Sequence, residues 1–152
     1  MATRPKVSSA RPDSSSVRPT TQVAALCHRQ HDTKGKEILL ITSRDTGRWI
    51  IPKGWPIKGL DNAGSAAQEA WEEAGVIPDK EKLPKVGSYT YGKRLKNGDT
   101  LECETLVFEV PVRKLARDFP ERAERKRKWV RPKDAARMVD EPELRLILKG
   151  FE

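Results

Sequence analysis

Over residues 54–76 the chain sets three carboxylates, Glu69, Glu72 and Glu73, among five small residues, Ala63, Ala66, Ala67, Ala70 and Ala74. The pattern predicts one helix from about Asn62 to Ala74, with Asp61 as its N-cap and Gly75 just past its end. In that helix the glutamates, at i, i+3 and i+4, share a face. The alanines form a stripe small enough to lie tight on a sheet, and the glutamates lie largely away from its centre. Three like charges at this spacing repel and weaken the helix unless a cation gathers them. Hard carboxylate oxygens suit Mg²⁺ or Mn²⁺, with water and phosphate oxygens completing the shell. Taken alone, a Glu-rich face also reads as ordinary solvated surface. The neighbours decide between the two.

Around this helix the chain reads as short strands. Residues 22–27, 37–42 and 49–51 are apolar runs bounded by turn residues, which suits buried strands. The link 31–35 is hairpin-like. Residues 86–95 and 101–110 flank Asn97-Gly98, a hairpin signal because both residues tolerate positive φ. Two later helices are expected, near 132–138 and 143–149. This order by itself says only mixed α and β.

At 152 residues the chain makes one domain with a real core. Charged residues are 34% of it, and no apolar stretch approaches a membrane span. Cys27 and Cys103 form no metal or redox spacing, so a reducing cytoplasm is the simplest home. His28 and His31 lack a third ligand nearby and read as surface residues. Residues 1–20 are basic and rich in Ser and Pro, and the composition predicts a disordered tail. Pro5, Pro12 and Pro19 argue against a helical organelle presequence.

Gly54, Glu69, Ala70, Glu72, Glu73, Gly75 and Val76 stand in the register of the Nudix box: Gly, five residues, Glu, seven residues, Arg-Glu, apolar, any, Glu-Glu, any, Gly, apolar. Two positions depart, with Leu60 where the first Glu belongs and Gln68 where the Arg belongs. The flanks 51–56 and 58–60 resemble one branch of that family, the hydrolases of diphosphoinositol polyphosphates and dinucleoside polyphosphates, in which the first Glu is often missing. The resemblance covers most of the chain from about residue 20. It implies a Nudix domain over 21–152, built as an α/β/α sandwich on a mixed sheet.

The same resemblance implies a Mg²⁺- or Mn²⁺-dependent phosphoanhydride hydrolase. Glu72 and Glu73 would be the principal metal ligands, often joined by a backbone carbonyl near Lys53 or Gly54. Glu69 would be a water-activating base or a further ligand. Gln68 takes the place of an Arg thought to hold the glutamates. With Leu60 and Gln68 both neutral, neither partner is left as an unpaired charge. A neutral amide is a weaker donor than a guanidinium, so lowered but retained activity is expected. Phosphate-holding roles fall to Ser43, Arg44 and Arg48 before the loop, and to Lys53 and Lys58 within it.

Charge bears on the substrate. Residues 113–133 hold ten Lys and Arg against Asp118, Glu121 and Glu124. Such a run reads as a solvated basic face, as a nucleic-acid surface, or as part of a polyphosphate cage. Lys93, Arg94 and the basic residues of 125–128 could complete a cage, and which of them point inward is open. Trp49 and Trp129 read as packing residues. The leading expectation is a hydrolase of polyphosphorylated small molecules. Its alternatives are an RNA 5′-pyrophosphohydrolase, a binding module with weakened catalysis, and a nucleic-acid binder. No aromatic platform supports RNA. The oligomeric state is open, although family members are often dimers.

Overall fold

The computed structural model describes residues 20–151. Its central strand, β1 (Thr20–His31), is apolar on both sides because both of its faces are covered. Val23, Ala25 and Cys27 point into one core with Leu39, Ile41, Ile50 and Val110. Ala24 and Leu26 point into the other, with Ile38, Leu40, Tyr89 and Val107. The alternation is the two-residue period of a strand. The first core lies under α1 (Asn62–Ala74), and the second under α2 (Pro132–Met138) and α3 (Pro142–Lys149). The result is a mixed sheet between helices, the expected α/β class.

The sheet runs β3-β2-β1-β7-β5, built from β1, β2 (Gly35–Thr42), β3 (Trp49–Ile50), β5 (Val76–Pro78) and β7 (Thr100–Leu115). Two strands hang beside β1 and β2. The two-residue β4 (Lys53–Gly54) pairs antiparallel with Val23 and Ala24, and β8 (Arg127–Val130) pairs antiparallel with β2. β6 (Lys85–Arg94) pairs with β7. The β1–β7 pairing is parallel, with Thr20 opposite Cys103 and His28 opposite Pro111. Among the described residues no helix is long and apolar enough to cross a membrane.

The helix that matters most has the predicted bounds. Asp61 Oδ1 accepts from the Gly64 N–H at 2.7 Å, and Gly75 closes the far end at φ +70°. Ala66, Ala70 and Ala74 are fully buried, while Ala63 and Ala67 sit at the margin of the contact.

Several expectations change. The expected tail lies outside the described residues except for Thr20, which opens β1. His28 is no surface residue: its ring is 14% exposed, meets Glu109 at 2.9 Å and packs edge-on to Phe151. His31 Nδ1 accepts the Thr33 and Lys34 N–H groups and so closes its turn. At the β6–β7 hairpin Gly98 alone carries positive φ, because the loop spans five residues, with Leu95 N–H bonded to Asp99 O, and needs one left-handed residue rather than two. β5 and β8 were not anticipated, the first being three residues long and the second hidden inside the basic run.

Candidate active site

Proline and glycine place the loop that leads into α1. Pro52 O accepts from Ala25 N–H at 2.9 Å, which fixes the chain on β1 just before β4. Ile57 N–H then donates to Ser65 Oγ at 2.9 Å, fastening the loop to the first turn of α1. Between these anchors lies Gly54. A Cβ there would sit 2.5 Å from Glu69 Cδ and 2.6 and 2.7 Å from its two oxygens. The Glu69 carboxyl therefore rests directly on the glycine backbone, in space that another residue's side chain would fill.

Glu73, one turn further on, is buried. Its Oε1 accepts the Lys53 N–H at 3.2 Å, and its Oε2 lies 3.8 Å from Arg125 Nη2. Glu69 and Glu73, one turn apart, lie close enough to shift each other's titration. Burial pushes the Glu73 carboxyl up to about 8, against the pull of Arg125 and with a further push from Glu69. Burial also raises Glu69, with the Glu72 charge adding to the shift. Glu72 lies on the outer side, and Gln68 Nε2 donates to its Oε2 at 2.8 Å. The amide of Gln68 thus makes the carboxylate contact that the sequence left to it.

Arg125 is the inward-pointing member of the basic run beside these carboxylates, with its side chain 6% exposed. Its Nε donates to Glu121 at 2.8 Å and its Nη1 to Thr42 O at 3.1 Å. The Glu121 N–H in turn donates to Glu72 O at 3.0 Å. Arg125 and Glu121 tie the end of β2 to the carboxylate face of α1. Sequence reasoning counted Glu121 only as one of three acids in the basic run and gave it no role; its one signal is a position i, i+4 from Arg125, inside a run that reads as surface.

The residues of 20–150 match the NUDIX domain model. The chain belongs to the Nudix family. Mouse diphosphoinositol polyphosphate phosphohydrolase 3-alpha is 32% identical over 122 residues, covering 78% of this chain and 68% of the mouse protein. The human 3-alpha protein is 32% identical over 121 residues, with the same shares covered. Among solved structures, the Ap4A hydrolase of C. elegans superposes with a TM-score of 0.62 at 20% identity, over 88% of this chain and 96% of that one. The NUDIX domain of Shewanella oneidensis NrtR, solved with ADP ribose, gives 0.63 at 17% identity, over 90% of each chain. Membership and these hydrolase relatives make the protein a Nudix-type pyrophosphohydrolase.

Within this Nudix domain the expected phosphate-holding residues separate. Ser43 Oγ bonds Thr46 Oγ1 and the Thr46 N–H, shaping the 43–48 loop. Arg44 pairs with Glu124 at 2.9 Å, and Arg48 with Glu141 at 2.9 Å. Lys58 is exposed on the loop. Lys53 lies close in: its ammonium sits 5.0 Å from the Tyr91 ring centroid. Burial lowers its pKa, opposed by Glu73, and Lys93 adds to the lowering. Lys93 and Lys53 thus lie near enough to feel each other. Trp49 packs against the core, and Trp129 packs under the Arg29 guanidinium at 4.2 Å, so both tryptophans are structural.

The donor set suits a hard divalent ion. Glu69 is half-buried and Glu73 buried, burial raises the pKa of both, and a bound cation would offset the cost of keeping both as carboxylates. Among the described residues no three acidic, His or Cys side chains already stand gathered around a point. A cation would therefore have to draw Glu72 toward the other two.

Proposed function

We propose that this Nudix protein is a Mg²⁺- or Mn²⁺-dependent hydrolase of polyphosphorylated small molecules, with diphosphoinositol polyphosphates as the first class and diadenosine polyphosphates as the second. One observation carries the reading: Glu69 and Glu73 converge on the Lys53-Gly54 backbone, Glu69 filling the space that a side chain at Gly54 would take and Glu73 accepting the Lys53 N–H. A phosphoanhydride repels an attacking hydroxide, and a bound divalent ion would supply the charge neutralisation and water activation that the reaction requires. Glu69, Glu72 and Glu73 would hold it. Gln68 orients Glu72, and Arg125 with the Lys53 N–H holds Glu73 in place. Lys53 and Lys93 offer cations to substrate phosphates on the other side of β4, and Lys58 and Ser43 offer contacts on the exposed rim. Arg44 and Arg48 can join only by exchanging Glu124 and Glu141 for phosphate.

The names of the relatives support the inositol class, and the two buried free cysteines, Cys27 and Cys103, suit a cytoplasmic location. The RNA reading loses support. Of the ten cations in 113–133, Arg125 and Arg127 turn inward and Arg122 pairs with Asp118, so the run is not one continuous strip.

The test is Mg²⁺-dependent phosphate release from a diphosphoinositol polyphosphate, diadenosine penta- and hexaphosphate, nucleoside triphosphates and 5′-triphosphate RNA, beside Glu72→Gln. Turnover of the first or second class, lost in the variant, is expected. Preference for RNA, or turnover that survives Glu72→Gln, would overturn the assignment.

A further inference from the structure

A second concentration of positive charge lies away from the carboxylates. The β1–β2 turn and the start of α2 enclose a cleft of about 420 Å³ whose charged lining is Lys34, Lys36, Arg131, Lys133, Arg137 and Asp134. Five cations face one acid, and that acid already pairs with Arg137. Lys36 is held in place over the Phe151 ring, 4.4 Å from its centroid. β2 runs eight residues from this cleft to Thr42, whose carbonyl meets Arg125, so at strand rise the two sites stand about 23 Å apart.

We infer that this cleft is a second binding site, for a compact phosphate-rich anion, separate from the hydrolytic centre. Like charges drawn into a concavity repel one another and focus a field that an anion relieves. Arg131 offers a planar fork that matches phosphate oxygens, Arg137 can add a second only by exchanging Asp134 for phosphate, and Lys34, Lys36 and Lys133 act as point charges around them. The shape argues for a small ligand over a polymer. An extended nucleic-acid strand needs cations spaced along a track. Here the neighbouring basic residues are engaged elsewhere: Arg127 caps α1 through Ala74 O, and Arg125 holds Glu73 and Glu121. Arg131 and Lys133 join the hairpin lysines in one bounded pocket instead. The inference does not depend on the substrate of the hydrolytic centre.

The experiment is an amide NMR titration of the full chain with inorganic tripolyphosphate, in EDTA and at constant ionic strength. Saturable shifts at Gly35, Lys36 and Asp134 are expected. In the Arg131→Gln/Lys133→Gln double variant the midpoint should rise at least tenfold, and Lys34→Gln, on the opposite wall, should weaken it too. Peak dispersion reports that each variant is folded, and resonances of Gly54, Gln68 and Glu72 report the hydrolytic centre separately. Shifts confined to residues 43–58 would overturn the site. So would an unchanged midpoint in the double variant, or an equal response to sulfate at matched ionic strength. Tighter binding of a 5′-phosphorylated RNA oligomer at the same amides would replace the small anion with a nucleic acid and defeat the proposal as made.

Discussion

At Gly54 one missing methyl group decides where a carboxylate can rest. Gly54→Ala puts Cβ against the Glu69 carboxyl, and the backbone there has no positive φ to protest. The fold should survive while kcat/KM falls at least about tenfold, an effect worth ~1.4 kcal/mol in the transition state. Circular dichroism beside steady-state kinetics checks it, and wild-type rates would refute it. Gln68→Arg should raise turnover several-fold, because a guanidinium holds Glu72 by a charge-assisted bond where the amide makes a neutral donor's bond. Unchanged or lower turnover would mean that the amide is already sufficient. Glu73 carries a pH signature. Its pKa is raised from 4.5 to about 8, so the folded state binds the proton more tightly than the unfolded one. That contribution to stability is complete below about 4.5 and is lost as pH rises through about 8. Metal-free protein should therefore lose Tm relative to Glu73→Gln between pH 5 and 8.5, and Mg²⁺ should reverse the loss. Parallel Tm curves would remove the basis for the shift. The three glutamates were legible in the sequence because helical spacing is a local property. The contact of Glu69 with Gly54 was not, because it depends on where a loop fifteen residues earlier returns to the sheet.

Among the elements, α1 is held at its far end by a residue from β8. The helix has no basic residue in its last turn, and Arg127 supplies one from outside: its Nη1 donates to Ala74 O at 2.9 Å and to Ala116 O at 3.0 Å, over the Phe119 ring. Charge at a helix C-terminus and two charge-assisted bonds together make Arg127→Ala cost ~2 kcal/mol. Arg125→Met should cost more, ~3 kcal/mol, because Glu73 and Glu121 both lose a buried partner. Urea denaturation measures both. Adding Glu73→Gln to Arg125→Met should recover part of the loss, whereas full additivity would show that the pair does not interact. α1, β1 and β2 were readable from period and punctuation. β8 was not, since Arg-Lys-Trp-Val has no strand alternation, and a basic run reads as surface until distant acids and carbonyls claim its members.

For the molecule as a whole, the mixed sheet could be anticipated only through the resemblance to a family. The decisive pairing, parallel β1 on β7, joins segments that share no local pattern. The same separation has a consequence in time. Thr42 and the Arg125 that binds its carbonyl lie 83 residues apart, and the counter-charge of Glu73 arrives with that arginine. On a ribosome, α1 would emerge well before either β7 or Arg125 exists to receive it, so its acidic face must wait unquenched. Topologies ruled by such distant contacts fold slowly. The carboxylate cluster is thus among the last parts of the protein to become itself, and a nascent chain halted before Arg125 should hold its first strands without a working centre.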